Sequence, residues 1–293
     1  MSDGRVLVTG ATGNTGSRLV ARLTALGHPV TAAGRGAEAP GGVGGGGGIG
    51  GRRPVQAVRF DWSDPGTYDS ALRGADRVYL VPPAADPEPG AVMLPFLARA
   101  RAAGVRRAVL LSSSALPAGG PGAGVVHEAL AGTFDEWAVL RPSWFMQNFT
   151  GGHVHADSIR DADVIMSATG DGRVGFIDAD DIAAVAGHAL TDRTAPCTDL
   201  VLTGPEALAY ADVAAVIARV TGRPVRHRPL SYEEMRDRLA AGMPAEFAAL
   251  LARLDREIAG GAEDRTTDAV EAVTGRPPRS FADYAAAHAA DFG

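Results

Sequence analysis

The chain has 293 residues, of which 46% are apolar, and its mean hydropathy is +0.02, so it can bury a full core as one large domain or as a domain and a smaller lobe. Its formal net charge is -6 and arginine is its only strongly basic residue, which argues against a nucleic-acid partner. No apolar run approaches the roughly 18 residues of a membrane helix, the N-terminus shows no signal-peptide pattern, and the single cysteine, Cys197, fits a reducing compartment; we expect a cytoplasmic protein without a membrane partner.

The first half of the chain predicts alternating strands and helices. An apolar run at residues 5–9 is followed by helical spacing of leucine and valine over residues 15–26. Further strands are predicted at residues 30–33, 55–60, 77–81, 107–111 and 137–140, with a helix at 91–103. Apolar runs without polar alternation are typical of parallel strands that are buried on both faces. The pattern predicts an α/β fold with a Rossmann doubly wound parallel sheet.

A glycine-rich turn joins the first predicted strand to the first helix. Its three glycines are spaced G-x-x-G-x-x-G, and the residues expected to contact a ligand are Gly10, Thr12, Gly13, Asn14, Thr15 and Gly16. Glycines let the backbone approach a pyrophosphate closely, and the helix N-terminus offers unpaired N–H groups and a favourable dipole. The turn therefore predicts a dinucleotide-binding site, and a turn that merely joins strand to helix is the alternative.

Arg35 follows the second predicted strand, where a Rossmann protein selects its dinucleotide. An NAD site usually has Asp or Glu there to hold the ribose 2'-hydroxyl, whereas an arginine accommodates a 2'-phosphate. We therefore expect NADPH, with Glu38 as a competing residue and Arg52 or Arg53 as alternative phosphate contacts. A solvated surface arginine is the alternative for Arg35. Residues 36–54 are too rich in glycine to hold a helix and predict a mobile loop, which is either a tolerated insertion, the favoured interpretation, or a functional lid.

The ends of the later strands predict the remaining cofactor walls, because ligands of open α/β sheets bind outside the carboxyl ends of the strands. The expected contacts are Asp61 and Trp62 after the third strand, Val81, Pro82 and Pro83 after the fourth, and Ser112 after the fifth. An ordinary structural role at a strand end is the alternative for each. Ser113 follows Ser112, beside the expected nicotinamide.

The regular alternation of predicted strands and helices ends at about residue 150. Residues 1–150 are predicted to form the NAD(P)-binding domain, and residues 151–293 to complete the sheet and form a smaller, mainly helical substrate lobe. Asp180 or Asp181 is expected near the N-cap of a helix, in preference to a catalytic carboxylate pair. Further helices are predicted near residues 210–220, 231–259 and 266–273.

Motifs along nearly the whole chain resemble those of a known family. They are VTGATGNTGSRL, FDWSD, VYLVPP, GVRRAVLLSSS, VLRPSWFMQNF, SATGDGRVGFIDADDIA, DLVLTGPEALAYADVA and GAEDRTTDAVEAVTGRPPRSF. The chain resembles the NmrA-like atypical short-chain reductases, and within them the ergot-alkaloid-type group of agroclavine and festuclavine dehydrogenases. The resemblance implies a Rossmann domain, a C-terminal substrate lobe and reduction of an iminium-type carbon with NADPH. The glycine-rich segment departs from the family's short loop.

The absence of lysine restricts the chemistry, because short-chain reductases commonly protonate an alkoxide through a Tyr-x-x-x-Lys pair. An iminium ion is already positive, so hydride alone completes its reduction. A quinone, enone or ketone acceptor stays open, since Ser113, a backbone N–H or water can meet its oxyanion. A non-catalytic NADP(H) sensor that binds a protein partner and a redox-neutral cyclase or isomerase are the remaining alternatives.

The segment after the sixth predicted strand is the expected substrate wall. The substrate-binding residues are predicted to be Ser114, Trp144, Phe145, Met146, Asn148 and Phe149. Aromatic faces there stabilise a cation by roughly 0.5 to 2 kcal/mol, and a plain core role is the alternative for each apolar residue. Ser113 and His127 are the expected catalytic residues; a structural or surface role is the alternative for His127.

An H-x-H-x-D motif, His153, His155 and Asp157, is the one candidate for metal binding. A metal site needs further ligands that the sequence does not locate, so we expect no metal.

Overall fold

The computed structural model describes residues 4–36, 55–84 and 86–293. The strands are β1 (Arg5–Val8), β2 (Val30–Gly34), β3 (Gln56–Arg59), β4 (Ala75–Leu80), β5 (Arg107–Leu111), β6 (Glu136–Pro142), β7 (Val164–Ser167), β8 (Arg173–Val174), β9 (Thr198–Leu202), β10 (Leu208–Ala209) and β11 (Arg226–Pro229). The helices are α1 (Asn14–Ala25), α2 (Tyr68–Leu72), α3 (Gly90–Ala102), α4 (Ala123–Thr133), α5 (Val154–Ala162), α6 (Ala179–Thr191), α7 (Tyr210–Thr221), α8 (Tyr232–Ala240), α9 (Ala245–Ala259), α10 (Ala269–Thr274) and α11 (Phe281–Ala287). The predicted loop, with Glu38, Arg52 and Arg53, lies outside the described residues apart from Gly36.

The first of two units comprises Met1–Arg141 and Ile182–Leu200. It contains a seven-stranded sheet in the order β3-β2-β1-β4-β5-β6-β9. Strand β1 pairs in parallel with both β2 and β4, so the strand order reverses beside β1. At the far edge, the Cys197 N–H donates to the Trp137 carbonyl oxygen (2.9 Å) just before β9. This topology confirms the predicted doubly wound α/β fold.

The central strands of this sheet are buried on both faces, which explains their unbroken apolar runs. Val6, Leu7 and Val8 on β1 have no exposed surface. Helix α1 buries Leu19 and Leu23 at the spacing of one helical turn. The apolar spacing that predicted strand and helix is therefore the spacing that forms the core.

The second unit comprises Pro142–Asp181 and Val201–Gly293. Strands β8 and β10 pair antiparallel, β7 and β11 pair in parallel, and helices α5 and α7–α11 belong to this unit. The unit has its own buried core, rich in aromatic rings. The first division between the units follows Arg141, and residues 182–200 group with the first unit.

The helix predicted over residues 231–259 is two helices, α8 and α9. Pro244 lies at the N-cap of α9, where its ring prevents a continuous helix. Asp180 and Asp181 lie in the first turn of α6, as the sequence predicted. The Asp178 carboxylate accepts the capping hydrogen bond from the Asp180 N–H (3.0 Å) and also pairs with Arg279 (2.7 Å).

Candidate cofactor site

The turn between β1 and α1 requires glycine at two positions. Gly10 has φ +60°, and a Cβ added there would lie 3.0 Å from the Cβ of Val81. A Cβ added at Gly16 would overlap the carbonyl oxygen of Gly10. The Gly13 N–H donates to that same oxygen (2.9 Å). The turn is therefore folded too tightly for side chains, and its backbone is open to a close-fitting ligand.

The N-terminus of α1 is free to bind an anion. Gly13 occupies the N-cap without a side-chain hydrogen bond, and the first turn holds no acidic residue. The backbone N–H groups of Asn14, Thr15 and Gly16 donate to no group within the described part of the chain. Thr12, Gly13 and Asn14 are exposed. A pyrophosphate fits this end, because it would gain hydrogen bonds and a favourable helix dipole.

Buried polar side chains support the turn from behind. The Thr9 hydroxyl donates to the Tyr79 carbonyl oxygen (3.0 Å) and accepts from the Val81 N–H (2.8 Å). The Tyr79 hydroxyl donates to the Thr15 hydroxyl (3.1 Å), and burial raises the pKa of Tyr79. The Thr15 side chain therefore faces β4, and its backbone N–H is the group that faces outward at the helix end. Sequence reasoning assigned no role to Tyr79.

Arg35 and Asp61 lie at the ends of neighbouring strands, and Arg35 is exposed. The Ser63 hydroxyl (2.7 Å) and N–H (3.0 Å) donate to Asp61, and these hydrogen bonds lower the pKa of Asp61. The positive charges of Arg59 and Arg35 lower it further. Asp61 is thus an ionised carboxylate within electrostatic reach of Arg35.

Trp62 links the end of β3 to the end of β4. Its indole N–H donates to the Val81 carbonyl oxygen (3.0 Å). Its half-buried ring packs edge-on against Phe60 and Phe96, with ring centroids 4.8 and 5.1 Å apart. Pro82 and Pro83 follow, both half-buried. The end of β4 borders the glycine turn, since the Val81 side chain would lie 3.0 Å from a Cβ added at Gly10.

An ion pair holds the loop after β5, and sequence reasoning missed it. Arg141 donates to the Asp199 carboxylate (2.7 Å) and to the carbonyl oxygens of Ser114 (3.0 Å) and Ser113 (3.4 Å). The Arg141 hydrogen bond lowers the pKa of Asp199. The Ser113 hydroxyl accepts from the Ala115 N–H (3.3 Å). Ser114, expected on the substrate side, is buried and held through its backbone.

Ser112, at the end of β5, has a hydroxyl group without a hydrogen-bond partner in the described chain. Its N–H donates to the Leu140 carbonyl oxygen (2.7 Å), so the backbone continues the sheet. Its hydroxyl oxygen is buried and has no hydrogen-bond partner among residues 4–36, 55–84 and 86–293. A buried hydroxyl without a partner is costly, which makes it a group that a bound ligand can satisfy.

His127 lies on α4 and is 7% exposed. Burial lowers the pKa of His127; the charge of Asp199 opposes this and that of Arg141 adds to it. Its Nδ1 atom is buried without a partner in the described chain. The imidazole is therefore neutral at pH 7 and offers one donor and one acceptor. The Arg141–Asp199 pair thus acts on both expected catalytic residues, Ser113 and His127.

The expected substrate wall divides between core and surface. Met146 and Phe149 have no exposed surface, and Phe149 stacks on His155 with centroids 5.7 Å apart. Their assignment as wall residues is corrected to a core role, because packing against the second unit's aromatic core leaves them no free face. Trp144, Phe145 and Asn148 stay half-buried.

The H-x-H-x-D motif has structural contacts. His153 caps α5 by accepting the His155 N–H (3.2 Å), His155 is buried, and Asp157 pairs with Arg160 (2.6 Å). Across the described residues, no three potential metal ligands lie together. No helix in that part of the chain is both long and apolar enough to cross a membrane.

The parallel doubly wound sheet and the glycine turn beside its central strand define a dinucleotide-binding Rossmann protein. A family model described as NAD(P)H-binding matches residues 10–193. The chain belongs to this NAD(P)H-binding family, and it is an NAD(P)H-dependent oxidoreductase.

Relatives span nearly its full length. It is 42% identical to an uncharacterized oxidoreductase of Bacillus subtilis, YesF, over 99% of this chain and 97% of that one. It is 42% identical to the agroclavine dehydrogenase of Claviceps fusiformis, over 77% of this chain and 81% of that one, which confirms the resemblance to the clavine dehydrogenase group. The fold is similar to that of the NADPH-dependent quinone oxidoreductase QOR2 of Escherichia coli, with a TM-score of 0.78, 21% identity, and coverage of 96% and 98% of the two chains.

Proposed function

We propose that the protein is an NADPH-dependent reductase of a small, hydrophobic, cyclic imine or iminium substrate, with a role in natural-product biosynthesis. The observation that carries the cofactor assignment is the pairing of an open helix N-terminus at α1 with an exposed arginine at the end of β2. The agroclavine dehydrogenase relative supports the substrate class.

The proposed contacts divide by the part of NADPH that they hold. Backbone N–H groups of the glycine turn hold the pyrophosphate, Arg35 holds the 2'-phosphate, and Asp61 with Trp62 border the adenosine. Val81, Pro82, Pro83 and Ser112 complete the wall. Arg35 is preferred for the phosphate because it is an exposed guanidinium at the strand end that selects between the two dinucleotides.

NADPH held by these residues would supply a hydride and leave as NADP+. Addition of that hydride to an iminium carbon moves the C=N electron pair onto nitrogen and gives a neutral amine, so no proton is required. This chemistry suits a chain without lysine. A reaction without proton transfer also suits His127, because its lowered pKa makes it a poor proton donor at neutral pH. We assign Ser113 and His127 to hydrogen-bonding the reacting group, and Trp144, Phe145 and Asn148 to substrate binding.

Fluorescence titration with NADPH and NADH tests the cofactor assignment. The Arg35→Ala variant is expected to lose about 10-fold or more in NADPH affinity and to leave NADH affinity unchanged, because a charge-assisted phosphate contact contributes about 1.5–3 kcal/mol. Arg73→Ala, which removes an exposed arginine at the end of α2, is the matched control. Absence of binding of both dinucleotides would contradict the proposal.

A quinone or enone is the second candidate acceptor, and the open Ser112 hydroxyl favours it because that hydroxyl can donate to a developing oxyanion. NADPH oxidation is measured with N-methyl-dihydroisoquinolinium and with menadione. Faster oxidation by the iminium supports the first candidate, and faster oxidation by menadione supports the second. Tight NADPH binding with neither reaction would favour a sensor or a redox-neutral enzyme.

A further inference from the structure

Asp255 is a carboxylate at a core position of α9. The buried residues of this helix are Ala248, Ala252, Asp255 and Ile258, which follow helical spacing along one stripe. Asp255 is 7% exposed, whereas its neighbours Arg256 and Glu257 are exposed. A charged residue within an otherwise apolar stripe is rare, and it requires a physical reason.

The charge of Asp255 has no counter-ion in residues 4–36, 55–84 and 86–293. One carboxylate oxygen accepts the Ala168 N–H (2.8 Å), and no arginine or histidine of those residues forms an ion pair with it. Arg256 instead lies over the Tyr232 ring, 4.9 Å from its centroid. Burial raises the pKa of Asp255 to about 6, so the group is still ionised at pH 7.5.

The surroundings of Asp255 combine apolar side chains with one phenol. Met235, Leu239, Ala248 and Ala252 form a buried apolar cluster, with Tyr232 packed against it. Tyr210 is 1% exposed. Burial and then the charge of Asp255 raise the pKa of Tyr210, so the phenol stays protonated beside the carboxylate.

The imidazoles near Tyr210 do not balance the charge. The rings of His155 and His227 lie 5.4 and 6.0 Å from the Tyr210 ring. Burial lowers the pKa of His155 and of His227, so both are neutral above pH 6.5. His227 also shares a hydrogen bond with the Ser167 hydroxyl (2.9 Å).

A structural role does not account for the charge. The contact with the Ala168 N–H ties α9 to the segment after β7, and a neutral acceptor such as an asparagine side chain would serve equally. Burying an unpaired carboxylate is costly, and such groups concentrate at binding sites. The described chain supplies this carboxylate with one backbone hydrogen bond and no ion pair, which leaves its charge available to a cationic ligand.

We propose that Asp255 is the counter-ion for a small hydrophobic cation with its charge on an amine or iminium nitrogen, and that the Tyr210 hydroxyl is a second polar contact beside it. The partly buried side chains packed against this cluster, Tyr232, Met243 and Leu251, would contact the hydrocarbon part of this ligand. The identification of the cation with the reducible substrate rests on the proposed function; the cation site itself does not.

Binding without turnover tests the site. The protein is titrated by calorimetry with N-methyl-dihydroisoquinolinium, a permanent cation, and with N-methyl-dihydroisoquinolone, a neutral lactam of similar shape. No NADPH is present, so no hydride is available. The native protein is expected to bind the cation more tightly than the lactam. Asp255→Asn is expected to weaken cation binding about 30-fold or more and to leave lactam binding unchanged, because the variant loses the charge partner and keeps the shape.

Glu257→Gln is the matched control, since it removes an exposed carboxylate from the same helix and is expected to change neither affinity. Asp255→Leu, which extends the apolar cluster, is a second variant if the asparagine does not fold. Equal cation affinity of the native protein and either folded Asp255 variant would overturn the proposal, as would equal binding of cation and lactam by the native protein. If the native protein binds the cation in an Asp255-dependent way but does not reduce it with NADPH, the proposed function is wrong and the cation site stands.

Discussion

The Tyr79 hydroxyl donates a buried hydrogen bond of 3.1 Å to the Thr15 hydroxyl, and this bond joins strand β4 to the first turn of helix α1. Both partners are buried, so either one left alone has no water to replace the other. The bond therefore holds the helix end whose backbone N–H groups we assign to the pyrophosphate.

The Tyr79–Thr15 bond predicts a non-additive double-mutant cycle. Tyr79→Phe and Thr15→Val each leave one buried hydroxyl unpaired and are expected to cost about 1–3 kcal/mol of the free energy of unfolding. The double variant is expected to cost less than the sum, because both polar groups are gone. Urea denaturation of the four proteins measures this. Additive costs would show that the two hydroxyls do not depend on each other.

The space around two helical glycines, Gly16 in the glycine turn and Gly132 on α4, predicts opposite effects of substitution by alanine. Gly16→Ala forces a methyl group into the Gly10 carbonyl and is expected to destabilise the protein by about 1–3 kcal/mol and to weaken NADPH binding. Gly132→Ala on α4 meets no atom within 4 Å and is expected to stabilise by about 0.5–1 kcal/mol. Thermal unfolding and NADPH titration test both. Unchanged NADPH affinity in Gly16→Ala would argue against the turn as the pyrophosphate site.

The raised pKa of Asp255 predicts a pH-dependent stability difference. Because the folded pKa of about 6 exceeds the ordinary value of 3.8, the folded state binds more protons between these values, and this group's contribution to stability falls as pH rises through that window. Asp255→Asn is expected to equal the native protein in stability near pH 3.5 and to exceed it by up to about 3 kcal/mol at pH 7.5. Urea denaturation across this range measures the difference. A variant less stable at pH 7.5 would show that the fold requires the charge.

The Arg141–Asp199 pair predicts a loss of turnover without a loss of cofactor affinity. Arg141→Met keeps the aliphatic stem and removes the donors to Ser113, Ser114 and Asp199. Turnover is expected to fall about 10-fold to 100-fold, because small displacements of reacting groups are costly, while NADPH affinity stays within about twofold. Steady-state kinetics and NADPH titration separate the two effects.

The matched control for Arg141 is Arg101→Met, which breaks the exposed ion pair with Asp135. Exposed pairs contribute about 0–1 kcal/mol, so this variant is expected to behave as the native protein. Equal turnover in the two variants would remove the positioning role from Arg141.

Local signals predicted the fold and the cofactor turn. The apolar runs of the strands, the helical spacing of Leu19 and Leu23, and the glycine spacing each lie within one βα unit, and the structure reproduces them. The sequence did not distinguish a core role from a substrate-wall role for Met146 and Phe149, because both roles require an apolar side chain. Pro244 was the available signal for the break between α8 and α9.

The sequence by itself determined the class of this protein, since a strand, a glycine turn and a helix in succession form a dinucleotide site through local backbone geometry alone. Only the tertiary structure decided which polar groups are paired. Arg141 and Asp199 are 58 positions apart, Tyr79 and Thr15 are 64 apart, and Asp255 and Ala168 are 87 apart. Burial and hydrogen-bond partners arise from contacts over such distances, so the unpaired charge of Asp255 becomes apparent only in the folded chain.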